Sequence, residues 1–477
     1  MGARQTRTRL RRPLALGFCA AGAAFAISAL GVEQGCSEQP PPPVGDKPIL
    51  IGVSFGLSAG LKDFAAPLRD SIRVAEGQIN AAGGVLGRRV FFDVQDDESD
   101  EEAKVEEVAN DFVRKGAVAV IGPLSSGQVV RVQQIYAEKN IIQISPSATS
   151  TDITNIQPSG DRWLFRTTPA DDFQGAAVLL FSQRTPRGLG DAGAPPEVDG
   201  GPPSTCRKMA IVHVDNAYGK SMADVIEKAF PRRAGQPILA RKSVSVKVAA
   251  SYVDVVAQIM PLEPECVALI TYDDVGAQFV RDFKTDPGYA ALAAKGFFFI
   301  GTDGVYTDGF IKKGLENESD PKSPNIAEGV YGTNPDTQPG TKEYNEFRTI
   351  FSSYFPLGVK DAPSFGANTF DAAVLIALAI QRAGNTNDRD AIRRSLIEVA
   401  NAPGKPFTPA QLGDALQAAA RGEDIDYKGA SGTVDLEPNG NVKSGFIVWE
   451  AFRNTKREVE YRTVGRFALE ELVDQLK

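Results

Sequence analysis

The sequence predicts an α/β protein built as two lobes in series, each a doubly wound parallel sheet. Three observations point there. Short apolar runs alternate with amphipathic helical stretches along most of the chain, the pattern of a parallel sheet with helices on both faces. The alternation pauses after Arg166-Thr-Thr-Pro-Ala-Asp171 and then restarts. Three of the runs, Val118-Ala-Val-Ile121, Ile141-Ile-Gln-Ile144 and Phe297-Phe-Phe-Ile300, lead directly into Gly122-Pro-Leu-Ser-Ser-Gly127, Ile144-Ser-Pro-Ser-Ala-Thr-Ser150 and Gly301-Thr-Asp-Gly304. Ligands of open α/β sheets bind outside the carboxyl ends of the strands. Two of these loops offer hydroxyls and backbone N–H groups, and the third offers a carboxylate. The set suits a small zwitterion, such as an amino acid, better than a reaction centre.

In order, Ile49–Ser54 reads as a strand and Phe64–Ala82 as a helix with Leu68, Ile72, Ala75 and Ile79 on one face. Gly83-Gly84 stops that helix. Arg89–Val94 alternates like a strand. A helix over Asp100–Lys115, the strand Val118–Ile121, a helix over Gln128–Lys139 and the strand Ile141–Ile144 follow. The second lobe reads as strands Lys208–Val214, Ala240–Val246, Val267–Tyr272 and Phe297–Ile300, with helices Ser221–Phe230, Ser251–Met260 and Val275–Lys284 between them. Between the lobes, Arg187–Ser204 is rich in Gly, Pro and Ala and reads as a surface insertion. The last third carries the apolar helices Phe370–Gln381 and Asp388–Val399 and the strands Gly432–Leu436 and Gly445–Trp449. It repeats no whole lobe, so its segments have to return and complete the earlier ones.

With 477 residues the chain has length for two or three domains with substantial cores. A net charge of −8, without a Lys/Arg cluster in the body, excludes nucleic acid, because phosphate contact needs clustered cations. Residues 1–36 read as a targeting segment: Arg4, Arg7, Arg9, Arg11 and Arg12 precede an uncharged, Ala/Gly-rich run from Leu14 to Val32. Cys36 and the Pro-rich linker 37–48 follow, an arrangement similar to a lipoprotein signal in which Cys36 is lipidated. Glu33 and Gln34 depart from that pattern, and cleavage near Ala24-Phe25-Ala26 is the alternative. Either way the protein is expected outside the cytoplasm, in the periplasm, tethered or free. Beyond Cys19 and Cys36 the chain has only Cys206 and Cys266, and an exported chain with two such cysteines invites one disulfide. Each precedes a strand of the second lobe, the first and the third, which are neighbours in a sheet of order 2-1-3-4-5.

The motifs Gly77-Gln-Ile-Asn-Ala-Ala-Gly-Gly-Val-Leu-Gly87, Asp96-Asp97, Val120-Ile-Gly-Pro123, Ile144-Ser-Pro-Ser-Ala-Thr149, Phe165-Arg-Thr167, Asp215-Asn-Ala-Tyr-Gly219, Gly301-Thr-Asp-Gly304, Glu328-Gly-Val-Tyr331 and Gly429-Ala-Ser-Gly432 stand in this order. As an ordered set they resemble the type I periplasmic solute-binding proteins, in particular the branched-chain amino-acid (leucine)-binding branch, from about Ile49 to Val459. The resemblance implies two lobes joined by three crossovers, near Arg166–Thr168, Gly329–Thr333 and Thr433–Leu436. Lobe I is then 49–167 and 331–434, and lobe II is 168–330 and 435–470. It implies a ligand-binding monomer without cofactor that hands an amino acid to the permease of an ATP-binding-cassette importer. Residue by residue, Ser126, Ser147 and Thr149 match positions that hold the ligand's carboxylate and backbone groups, and Asp303 matches the acid that pairs with its ammonium. Tyr218 matches an aromatic wall, and Phe64 and Phe365 match aromatic positions of the side-chain pocket. Tyr272 and Asp273 close a lobe II strand and face the same way. Asp273-Asp274 departs from the more neutral pattern of leucine binders.

Two other classes compete. An enzyme would need machinery that is missing: the only histidine is His213, inside an apolar strand, and there is no Walker A motif or Cys/His metal cluster. A ligand-sensing receptor module for an amide or other small polar molecule would use the same two-lobed body.

Overall fold

The computed structural model describes residues 47–99, 102–184, 202–355 and 362–476. The targeting segment, Cys36, most of the Pro-rich linker and most of the insertion before Ser204 lie outside the described residues.

Lobe I starts with β1 (Ile49–Phe55), α1 (Lys62–Ala81), β2 (Val90–Asp96), α2 (Glu102–Lys115), β3 (Ala119–Ile121), α3 (Ser126–Ala137), β4 (Ile142–Ser145), α4 (Thr151–Asn155) and β5 (Leu164–Arg166). Its sheet has the order β2-β1-β3-β4-β5, with every pair parallel. The chain then enters lobe II through α5 (Asp171–Ser182), β6 (Met209–Val214), α6 (Ala217–Ala234), β7 (Ala240–Val244), α7 (Val253–Ile259), β8 (Cys266–Ile270), α8 (Asp273–Thr285), α9 (Tyr289–Ala294), β9 (Phe298–Gly301), α10 (Asp308–Gly314) and β10 (Tyr331–Pro335). It returns to lobe I as α11 (Lys342–Tyr354), α12 (Gly366–Ala383), α13 (Arg389–Ala400), β11 (Lys405–Phe407), α14 (Leu412–Ala420) and β12 (Ile425–Tyr427). It finishes in lobe II with β13 (Phe446–Arg453), β14 (Val459–Phe467) and α15 (Leu469–Leu476).

Each lobe has its own core. In lobe I the strands β1, β3 and β4 pack against α1 and α12, which is buried from Gly366 to Ile380. In lobe II β6, β8 and β9 pack against α5, α6 and α8. Cys206 and Cys266 are joined by a disulfide. The reason is the strand order read from the sequence: β6 and β8 are parallel neighbours, with Met209 opposite Cys266.

Three expectations need correction. The lobe II sheet, β14-β13-β10-β9-β8-β6-β7, is parallel only through β10 and ends in the antiparallel strands β13 and β14. The second crossover is not at Gly329–Thr333, because residues 331–335 form β10 inside the lobe II sheet. This strand is buried yet reads Tyr-Gly-Thr-Asn-Pro, since a Cβ on Gly332 would stand 2.1 Å from Trp449 Cζ2. Gly432–Leu436 is neither a strand nor a crossover: Val434, Leu436 and Val442 still pack in the lobe I core. The amides before it go instead to Asp371, whose carboxylate accepts from Ala430 N (2.9 Å), Ser431 N (2.8 Å), Ser431 Oγ (2.7 Å) and Tyr427 Oη (2.8 Å). Lobe I therefore extends past 434, and the third passage lies just before β13.

Candidate functional site

The site is built from loops at the carboxyl ends of both sheets. After β3, Gly122 adopts φ +97°, and a Cβ there would stand 2.2 Å from Ser54 O. Only glycine lets the chain pass over the end of β1 and start α3 at the cleft. Ser125 is the N-cap of α3 but makes no side-chain cap, so the first turn keeps its N–H groups for another acceptor. Ser126 is not the cap. Its Oγ accepts from Ser150 N at 3.2 Å, which leaves its own O–H to donate elsewhere. The loop after β4 is pinned beside it, with Ser147 Oγ donating to Leu124 O (3.0 Å) and Ser145 Oγ donating to Pro123 O (2.7 Å).

Across the cleft, β9 runs into a tight helical turn at Asp303–Val305. Asp303 is 5% exposed, and its Oδ1 accepts from Tyr218 Oη at 3.0 Å. Tyr218 also shares a 2.6 Å hydrogen bond with Thr302 Oγ1. Its ring stacks on Tyr272, with centroids 5.6 Å apart and planes at 18°. Tyr272 Oη accepts from Asn216 Nδ2 at 2.9 Å, which fixes the pair. Phe64 of α1 meets Phe365, at the start of α12, edge to face at 5.7 Å. The Asp96-Asp97 motif shapes the loop leading to Phe64: Asp96 Oδ1 accepts from Leu57 N (2.9 Å) and Ser58 N (3.2 Å), while Ser54 Oγ donates to Asp97 Oδ2 (2.7 Å).

Together these groups enclose a cavity of about 460 Å³ between the lobes, open mouth included. Ser126, Ser147, Thr149, Tyr218, Tyr272, Asp303, Phe64 and Phe365 all line it. Sequence reasoning did not single out Gly60, Leu61, Leu124, Ser125 and Gly304, which line it too. Leu124 and Ser125 stand in the same loop as Ser126, so proximity was the available signal. His213 lies elsewhere, in β6, where it accepts from Arg241 Nε at 3.2 Å.

The cavity is acidic. Burial raises Asp303 to about 6, against the hydrogen bond from Tyr218. Behind it, the wholly buried Asp171 is pushed to about 8, by burial first and the Asp303 charge next. Ser221 Oγ donates to Asp171 Oδ2 at 2.5 Å and accepts from Thr151 N at 3.2 Å, so α6 of lobe II is latched to α4 of lobe I. No Lys or Arg lines the cavity. Among the described residues no cluster of His, Cys, Asp and Glu could hold a metal ion. No described helix is long and apolar enough to cross a membrane.

A family model described as periplasmic binding protein matches residues 48–423. The chain belongs to that family. It is an extracytoplasmic substrate-binding protein, and by that membership not an enzyme. The chemotactic signal transduction system substrate-binding protein BasB of Halobacterium salinarum is 26% identical over 409 residues, 84% of this chain and 86% of that protein. The Leu/Ile/Val-binding protein homolog 3 of Brucella melitensis is 24% identical over 364 residues, 76% of this chain and 85% of that protein. The fold is similar to that of the leucine binding protein LivK of Thermotoga maritima, with a TM-score of 0.66 at 17% identity, covering 89% of this chain and 99% of that one.

Proposed function

We propose that this periplasmic binding protein carries an amino acid to the membrane permease of an ATP-binding-cassette importer, as a monomer that closes on its ligand like a hinge. The carrying observation is the pairing of one buried carboxylate, Asp303, with hydroxyls and an uncapped helix N-terminus in one enclosed cavity. The ligand carboxylate sits at the first turn of α3, where free N–H groups and the helix dipole favour an anion, with Ser126, Ser147 and Thr149 around it. The ligand ammonium pairs with Asp303, because a buried carboxylate needs a cationic partner. Tyr218, Tyr272, Phe64 and Phe365 wall the remainder. A ligand with a carboxylate alone would leave Asp303 unpaired and repelled. The three passages between the lobes absorb the backbone change on closure. The likeness to Leu/Ile/Val-binding relatives supports the same ligand class.

A second reading, ligand sensing, is favoured by the likeness to a chemotactic substrate-binding protein over most of both chains. Stimulation of a reconstituted permease's ATPase by the loaded protein separates the two. For the hinge, small-angle scattering of the mature protein with and without an amino acid that binds in calorimetry is the test. The radius of gyration falls on loading. An unchanged radius at saturation contradicts hinge closure.

A further inference from the structure

The zwitterion reading uses Asp303 and leaves Asp273 without a task. Asp273 opens α8, is 6% exposed and lines the same cavity. Its Oδ1 accepts from Thr307 Oγ1, and Oδ2 has no partner among the described residues. The groups facing it are mostly acids: Asp63 from α1 of lobe I, Asp274 from α8 and Asp308 from α10, with Tyr461 from β14. The nearby cation is Lys313, which approaches Asp274 at 3.6 Å. Asp63 and Asp273 converge on Gly309: a Cβ at that glycine would stand 2.2 Å from Asp273 Oδ2 and 3.4 Å from Asp63 Cβ. Asp63 of lobe I thus stands across Gly309 from Asp273 of lobe II. Asp303 has a different set of neighbours, Tyr218, Thr302 and Asp171. The cavity adjoins a space of about 1190 Å³ that shares Phe64 with it and is lined by Asp63, Asp70 and Asp308, again without Lys or Arg.

We propose that the ligand carries a second cation: it is an amino acid with a basic side chain, whose α-ammonium sits on Asp303 and whose side-chain cation sits on Asp273, both in the wall of the same cavity. This rests on the amino-acid reading of the cleft. An apolar side chain would leave Asp273, 6% exposed at the cavity wall, without a cationic partner. A neutral amide would satisfy the hydrogen bond but would not offset the charge of Asp273. The methylene stem of a basic side chain runs along Phe64 and Phe365 while its charged end reaches the acids. Asp273 is then the residue that sets specificity, and the ligand's tail couples the two lobes.

Calorimetry of the mature full chain with lysine, arginine and norleucine tests this, because norleucine is lysine without its terminal amine. Lysine or arginine is expected to bind at least about 30-fold more tightly than norleucine, the loss typical of an unpaired buried charge. Asp273→Asn, which keeps the side-chain volume, should bring the basic and apolar ligands to within about threefold of each other by removing that charge. Circular dichroism verifies its fold. If norleucine binds the wild type as well as lysine and arginine do, the second cation is refuted while the amino-acid reading stands. If none of the three binds the folded protein, both fall.

Discussion

The charge on Asp303 should account for a large part of ligand affinity, and Asp303→Asn isolates it. The side chain is 5% exposed, and its Oδ1 accepts from Tyr218 Oη at 3.0 Å. Asparagine has the same shape and its amide oxygen accepts the same bond, so the substitution removes charge and little else. Truncating one member of a buried charge pair costs roughly 2–5 kcal/mol. The retained amide dipole places this case at the lower end, about 2–3 kcal/mol, or roughly 30- to 150-fold in Kd. The pH dependence supplies a second reading of the same group. Burial holds Asp303 at about 6. An ammonium ligand binds the ionised form, so protons compete below that value. At pH 5 the wild type should bind about tenfold more weakly than at pH 7 on account of this group. Asp273 titrates in both proteins, and Asp171 titrates lower in the variant because the Asp303 charge no longer raises it, so the loss of the step near pH 6 is what identifies Asp303. Calorimetry at pH 5, 6 and 7 with a single amino acid measures it. An unchanged Kd in the variant, or an identical pH profile, refutes the assignment of the ammonium to Asp303.

Other consequences are open to measurement. The Cys206–Cys266 bridge spans 60 residues, and loop-closure entropy of that length is worth about 4 kcal/mol. The Cys206→Ala/Cys266→Ala variant should unfold at distinctly lower denaturant or temperature, and thiol titration of the denatured, unreduced mature wild type should find neither cysteine free. Asp171, raised to about 8 by burial, keeps a proton that the unfolded chain releases from its ordinary value near 4 upward. Its contribution is therefore fully present below about 4 and is lost as pH rises through about 8. Asp171→Asn should flatten the fall in unfolding free energy between pH 6 and 8, and a variant slope equal to wild type would show that this acid is not the source.

The binding loops were legible because the residues before them are buried on both faces of the sheet. A run such as Val118–Ile121 announces a central strand, and Gly122 or Gly301 marks where it must stop. What could be read from the residues was therefore the set of strand ends, and the eight residues named, most of them through the family resemblance, line one cavity. Elements that violate those cues stayed hidden. β10 is central, but Gly332 has to make room for Trp449, so its apolar signal is missing. α5 is buried nearly all round, so it lacks the 3.6-residue alternation that marks a half-exposed helix. The Thr151–Ser221–Asp171 latch joins three elements far apart in sequence, and no local pattern encodes it.

The same acids explain why the closed state needs its ligand. Asp303 and Asp171 of lobe II share one desolvated region, and Asp63 of lobe I stands across Gly309 from Asp273 of lobe II. Burial raises Asp303, Asp171 and Asp273 above their ordinary range, a sign that each opposes being charged there. The latch from Thr151 to Ser221 and the meeting of α1 with α10 favour closure, but a hydrogen bond of this kind contributes only about 1 kcal/mol net. Burying these acids without a counterion opposes it, either as unpaired charge or as proton uptake. A cation in the cleft therefore favours the closed form. A ligand that supplies one offsets the ionised carboxylates, and such a ligand has the differential affinity needed to shift the population. A closed protein is then a loaded one, which is the distinction a downstream permease or receptor has to read.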